Sequence, residues 1–286
     1  MAKNDREGPA LRAATVEGIF YPAEPAALGA RVAALLAEAS TGLPQPGGPV
    51  YALITPHAAL DYAGAVTAAA YCSVADRRPA VAVLLGPMHR DASNGVVLPE
   101  SASFQTPLGN VPVDRQILEE LQDAGEARSW FRWDDIPHLE EHCLEVQLPF
   151  LKHLFPSVRI VPLLVGKPSL RLVEALAGRL WEVFSGRLAE TLFVATANLG
   201  GGPTGRRSDA CRQRLIQRVL RSDWRGITEQ AARRRPCSCG VGPIAAILHL
   251  HRRRGGPVTV LREGSSRDSG TDPRHAVHYA AIALAE

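Results

Sequence analysis

The sequence predicts an α/β fold: a mainly parallel sheet sandwiched by helices, an αβα arrangement. Three observations carry this. The apolar runs at 50–54, 81–85, 158–165 and 191–196 are short, and most of them do not alternate with polar residues, as expected of strands covered on both faces. Segments of helical spacing separate them. The first two runs also end alike, in Pro56-His57 and in Gly86-Pro87-Met88-His89, about thirty residues apart, which is the length of a βαβ unit. That repetition predicts His57 and His89 at the same level on neighbouring strands, about 4.8 Å apart in the pairing direction.

Taken in order, Gly18-Ile19-Phe20-Tyr21-Pro22 is a short apolar turn leading into a helix over 26–39, whose residues 28, 32, 35 and 36 keep helical spacing. A Pro/Gly loop at 42–48 precedes the first core strand. A small-residue helix follows from Gly64. The stretch 96–113 reads as a hairpin appended to the main sheet, turned by Gly109-Asn110 and forming a wall or lid. Asp114 caps a helix to Gln122. Residues 130–137 read as a loop, 137–147 as a helix, and Pro149 as the start of a second short one. Helices are expected over 169–185, 206–221 and from Cys239-Gly240 to Arg254, where Gly255-Gly256 is a stop. Two final strands are expected at 258–261 and 277–284. The whole chain, 1–286, is expected to be a single domain, large enough for a substantial core at 46% hydrophobic residues.

A net charge of +3 does not mark a dedicated nucleic-acid binder. Arg206-Arg207 and Arg233-Arg234-Arg235 lack interleaved aromatics for base stacking, and Arg252-Arg253-Arg254 suits a helix C-terminus. No run reaches the ~18 apolar residues that span a bilayer. The charged N-terminus lacks an apolar signal core, so a cytoplasmic location with no membrane partner is expected, and its five cysteines are expected to be reduced. A homo-oligomer is left open.

In parallel α/β sheets the ligand crevice lies outside the carboxyl ends of the strands, where His57, His89 and Asn198 fall. Cys239, at a helix start where a thiol's pKa is depressed, offers a third metal ligand. Two histidines and a thiolate differ from the two-histidine, one-carboxylate iron triad only in the anion, and zinc and copper accept the same donors. Tyr62, five residues after His57, is a candidate oxygen-positioning phenol. Asn198 and Arg207 are candidate substrate contacts. His138-Leu139-Glu140-Glu141-His142 also matches the H-x-x-E-H zinc pattern, which makes a zinc hydrolase a competing reading. Here His142 is expected to face the pocket and His138 solvent.

Together, Gly18-Ile19-Phe20-Tyr21-Pro22, Thr55-Pro56-His57-Ala58, Leu85-Gly86-Pro87-Met88-His89, Phe104-Gln105-Thr106-Pro107-Leu108-Gly109, the run from Glu141 to Leu151 and Cys239-Gly240 resemble the MEMO family, also called AmmeMemoRadiSam system protein B. The resemblance implies a fold similar to the class III extradiol dioxygenases, which use non-haem Fe(II) and O2 on catechol-like rings. It implies metal ligands at His57, His89 and Cys239, a pocket tyrosine at Tyr62 and a catalytic histidine at His142. One departure stands out. The family's Ser-Ser-Asp-x-x-His reads Thr196-Ala197-Asn198-Leu199-Gly200-Gly201 here, so its acid and histidine are replaced. The expectation is an Fe(II)-dependent dioxygenase acting on a small hydroxylated aromatic or heteroaromatic substrate. The alternative is a metal-binding or redox protein without oxygenase turnover.

Overall fold

The computed structural model describes residues 11–91, 93–123, 125–203, 206–233, 237–270 and 275–286, without the side chains of 125–127 and 201–208. After the two-residue strand β1 (Leu11–Arg12), α1 (Pro25–Ala39) begins where Glu24 accepts hydrogen bonds from the N–H groups of Ala26 and Ala27. Strand β2 (Val50–Thr55), α2 (Leu60–Cys72) and β3 (Val81–Pro87) form the first strand–helix–strand unit. Three short strands follow: β4 (Val96–Leu98), β5 (Ser103–Phe104) and β6 (Val111–Pro112). Helix α3 (Arg115–Gln122) is capped by Asp114 as expected. Then come β7 (Phe131–Trp133), α4 (Asp135–Glu140), α5 (Leu148–Leu154), β8 (Arg159–Val165), α6 (Leu170–Phe184) and β9 (Thr191–Thr196). The chain continues through β10 (Gly201–Pro203), α7 (Arg206–Leu220), α8 (Trp224–Arg233) and α9 (Val241–Arg254). It closes with β11 (Val258–Ser265) and β12 (His275–Ala285).

The main sheet runs β10-β12-β2-β9-β3-β8-β4-β7, with β11 also paired to β12. Its centre, β2-β9-β3-β8, is parallel, and antiparallel strands extend it on both sides. Alternate side chains of each central strand enter different cores. Val81, Val83 and Leu85 of β3 face the layer that includes α6, α8 and α9, while Ala82 and Leu84 face the layer of α1, α2 and α5. Each Leu or Phe buried on these strands contributes about 1.5–3 kcal/mol relative to exposure.

Several expectations are corrected. β2 and β3 are not neighbours, because β9 lies between them and pairs with both. The pattern of two βα units specifies parallel strands but not the later strand that inserts between them. The stretch 96–113 is not one hairpin: β4 joins the main sheet, and only β5 and β6 pair antiparallel, in a small sheet with β1. The expected loop at 130–137 contains β7, and the expected helix 137–147 stops at Glu140, because Glu141 is extended (φ −104°, ψ 128°). Helix α8 was not anticipated. Cys211 and Cys237 form a disulfide, with Cα atoms 5.7 Å apart, against the expectation of reduced thiols throughout. Their separation of 26 residues carries no local signal that α7 would return beside this loop. Residues 234 and 235 of the arginine run lie outside the described residues. Among the described residues no helix is long and apolar enough to cross a membrane.

Candidate metal centre

Strands β2, β9 and β3 end side by side, and the loops leaving β2 and β3 fold toward each other over the end of β9. The rings of His57 and His89 therefore lie 5.1 Å apart although their strands do not touch. His142 joins them because the chain breaks from helix at Glu141. Its ring stacks on His89 at 5.2 Å and meets His57 edge-on at 5.6 Å. One ligand atom from each of these three histidines lies within 4.8 Å of the others, so the group could hold a metal ion. Cys239, just before α9, completes the cluster with its Sγ 3.3 Å from His57 Nε2. Gly240 is required there, because a Cβ would overlap Ala197 and the Thr196 carbonyl and push the thiol away from the strand ends.

The side of each ring facing away from the cluster is engaged. His57 Nδ1 lies 3.0 Å from Thr196 Oγ1. His89 Nδ1–H donates to Glu141 Oε1 at 2.9 Å, and His142 Nδ1 is 3.3 Å from the same oxygen. The His89 N–H donates to Glu141 Oε2 at 2.8 Å. Metal-binding histidines characteristically have the second ring nitrogen held by a carboxylate or another fixed partner, which sets tautomer and orientation. The cradle is itself anchored. Gln147 Nε2 donates to the Pro56 carbonyl at 2.8 Å and Tyr71 donates to Gln147 Oε1, which fixes the chain just before His57.

Charge is polarised across the cluster. Burial pushes the Cys239 thiol up, but the His57 charge and hydrogen bonds from His57, His89 and the Asn198 backbone outweigh it and bring it down to about 5. Hydrogen bonds to that sulfur and to Glu141 raise His89 to about 10. Burial also pushes Glu141 up, yet its bonds to His89 and the nearby imidazole charges lower it to about 2. Burial lowers His142 to about 4, with the His57 and His89 charges adding to the effect, so its imidazole is neutral near pH 7. A thiolate thus sits beside a protonated imidazole, a site where a cation can replace a proton. In a tetrahedral site with metal–nitrogen bonds of ~2.1 Å and metal–sulfur bonds of ~2.3 Å, nitrogen and sulfur stand about 3.6 Å apart. The donor set and the 3.3 Å His57–Cys239 spacing fit a single bound metal ion.

Other expected site residues lie differently. His138 does not face solvent. It is 1% exposed and donates from Nε2 to the Val97 carbonyl at 3.0 Å, because α4 packs that side against β4. It shares no helix with His142, so the H-x-x-E-H spacing does not bring the two onto one face. Asn198 turns its Oδ1 to the His57 N–H at 3.2 Å. Tyr62 lies in the first turn of α2, 44% exposed, and among the described residues no hydrogen bond joins its hydroxyl to the cluster. Arg207 falls within α7, and its side chain lies outside those described. Sequence reasoning assigned no role to Thr196, Gln147 or Phe20. Thr196 was open to discovery by the logic that found His57, being a polar residue at the carboxyl end of a buried strand.

Fold and site together define an α/β sandwich with a candidate metal centre at the carboxyl ends of its parallel strands. Residues 12–283 match the family described as Memo-like protein. A MEMO1 family protein of Caldivirga maquilingensis is 31% identical over 241 residues, which cover 82% of this chain and 83% of that one. A MEMO1 family protein of Sulfolobus acidocaldarius is 28% identical over 282 residues, 95% of this chain and 98% of that one. A solved structure of an uncharacterized Escherichia coli K12 protein shares the fold, with a TM-score of 0.50 at 11% identity over 82% of this chain and 98% of that one. The chain belongs to the Memo family.

Proposed function

We propose that this protein is a mononuclear non-haem Fe(II) oxygenase that uses O2 to oxidise a small hydroxylated aromatic or heteroaromatic ring. The observation that supports it most directly is the convergence of His57, His89 and Cys239, with His142 alongside, while other residues occupy the outward nitrogens. His57, His89 and Cys239 would hold the ion. When bound, iron supplies the electron transfer between ring and O2 that side chains alone cannot. The protein's own part is orientation and proton handling. Glu141 holds His89 and His142 in fixed poses. The neutral His142 ring is suited to accept the proton of a substrate hydroxyl, since its pKa lies below the working pH. Phe20, edge-on to His142 at 4.9 Å, is the apolar neighbour of that ring.

A second reading, metal binding or redox exchange without oxygenase turnover, is favoured by Asn198. Its side chain is committed to the His57 backbone, at a position where the resemblance implies an acid. Anaerobic loading with Fe(II), then O2 uptake with a panel of catechols and hydroxypyridines, separates the two. Uptake with at least one ring is expected. Stoichiometric iron binding without uptake by any ring would establish the second reading.

A further inference from the structure

Beside the metal centre is a cavity of about 450 Å³, in the size range of small-molecule sites. Its walls include Gly18, Ile19, Phe20, Arg31, Leu60 and Asp61. Phe20 belongs to both places, lining the cavity while its ring lies 4.9 Å from that of His142. The Phe20 wall is fixed by its backbone. Gly18 N–H donates to the Tyr21 carbonyl at 2.7 Å, Phe20 N–H to Val16 at 2.8 Å, and Leu60 N–H to the Phe20 carbonyl at 2.8 Å. This turn holds Ile19 74% exposed, a large apolar side chain with little of its surface covered by the protein.

The lining also carries one charge of each sign. Arg31 of α1 and Asp61 of α2 face each other with Nη2 and Oδ1 3.5 Å apart, both in contact with solvent. So long and exposed an ion pair is worth little to the fold, and both groups remain available to a ligand. Apolar wall, cation and anion together describe a ligand with a ring at one end and a zwitterion at the other. A carboxylate on the guanidinium and an ammonium on the carboxylate would replace one weak contact by two charge-assisted hydrogen bonds.

We propose that this cavity seats a hydroxylated aromatic α-amino acid, its carboxylate at Arg31, its ammonium at Asp61 and its ring along Phe20 toward His142. The assignment rests on the oxygenase reading for what happens to the ring, but its recognition can be measured without metal. Calorimetric titration of the metal-free protein compares L-3,4-dihydroxyphenylalanine with dopamine, 3,4-dihydroxyphenylpropionate and 4-methylcatechol. The amino acid is expected to bind roughly ten-fold or more tightly than each of the others, the scale of losing one charged hydrogen bond. Arg31→Gln should erase the discrimination against dopamine, and Asp61→Asn the discrimination against the propionate. Equal affinities across the four probes, no binding of any, or discrimination that survives both substitutions would overturn the seat. O2 uptake by the iron-loaded protein is scored separately. Zwitterion preference without uptake supports the seat and removes the oxygenase reading, whereas uptake with indifferent binding does the reverse.

Discussion

Glu141 faces the imidazoles of His89 and His142, whereas Glu145, four residues on, faces inward. There it accepts hydrogen bonds from Arg12, from the Thr15 and Val16 N–H groups, and from the Thr15 and Tyr21 hydroxyls. Burial pushes Glu145 up, but the Arg12 charge and these donors outweigh it and hold it below the usual carboxylate range. Both are buried glutamates of one short segment. Glu145 has every lone pair occupied by the chain's own N-terminal residues, and its work is to clamp them to the body of the molecule. Glu141 is tied to imidazoles whose other nitrogens belong to the cluster, that of His89 toward the Cys239 sulfur. A buried carboxylate is a structural anchor or a ligand-orienting group according to what its partners still have to offer.

Removing the anchor should have the largest effect on the fold. Glu145→Ala leaves the fully buried Arg12 guanidinium without its counter-ion, and urea unfolding should show a loss of about 3–5 kcal/mol. The same measurement on Glu141→Gln should show a smaller loss, about 1–3 kcal/mol, because the amide oxygen keeps one set of donors while its NH2 faces the other. Glu141→Gln should instead lower metal affinity by roughly 10- to 100-fold in chelator competition. If the two variants exchanged these phenotypes, the contrast between anchor and orienting group would be wrong.

His138 and His142 sharpen the contrast, being also four residues apart. His138 is buried against Val97 and lowered to about 4 by that burial. Its folded pKa lies below the ordinary value of about 6.5, so the unfolded chain binds a proton that the folded chain refuses. Its penalty on stability is absent above about pH 6.5 and grows as pH falls toward 4. His138→Asn should flatten the wild-type stability profile in that window by about 1 kcal/mol per pH unit, without abolishing metal binding. Loss of metal with His138→Asn would revive the zinc-hydrolase arrangement.

Much of this was legible in the chain. Apolar runs unbroken by polar alternation marked the central strands, and Asp114, Pro149 and Gly255 marked helix ends where the structure has them. His57 and His89 were visible as the residues that terminate buried strands. Strand order was not, because β9 enters between β2 and β3 from more than a hundred residues later in the chain. Nor was the break at Glu141: the spacing of 137–147 suits a helix, and bonds that His89 and Arg12 donate to Glu141 from far away in the chain favour the extended conformation. The Cys211–Cys237 pair depends on how α7 packs, which neither cysteine's neighbours in sequence specify.

The account depends on Cys239 and the two strand-end histidines sharing one ion. X-ray absorption at the metal edge of anaerobically Fe(II)-loaded protein tests this most directly, with Cys239→Ser as the partner sample. One sulfur and at least two imidazole nitrogens around a single iron are predicted, with the sulfur contribution gone and affinity sharply reduced in the variant. An iron shell of nitrogen and oxygen alone, unchanged by Cys239→Ser, would contradict it.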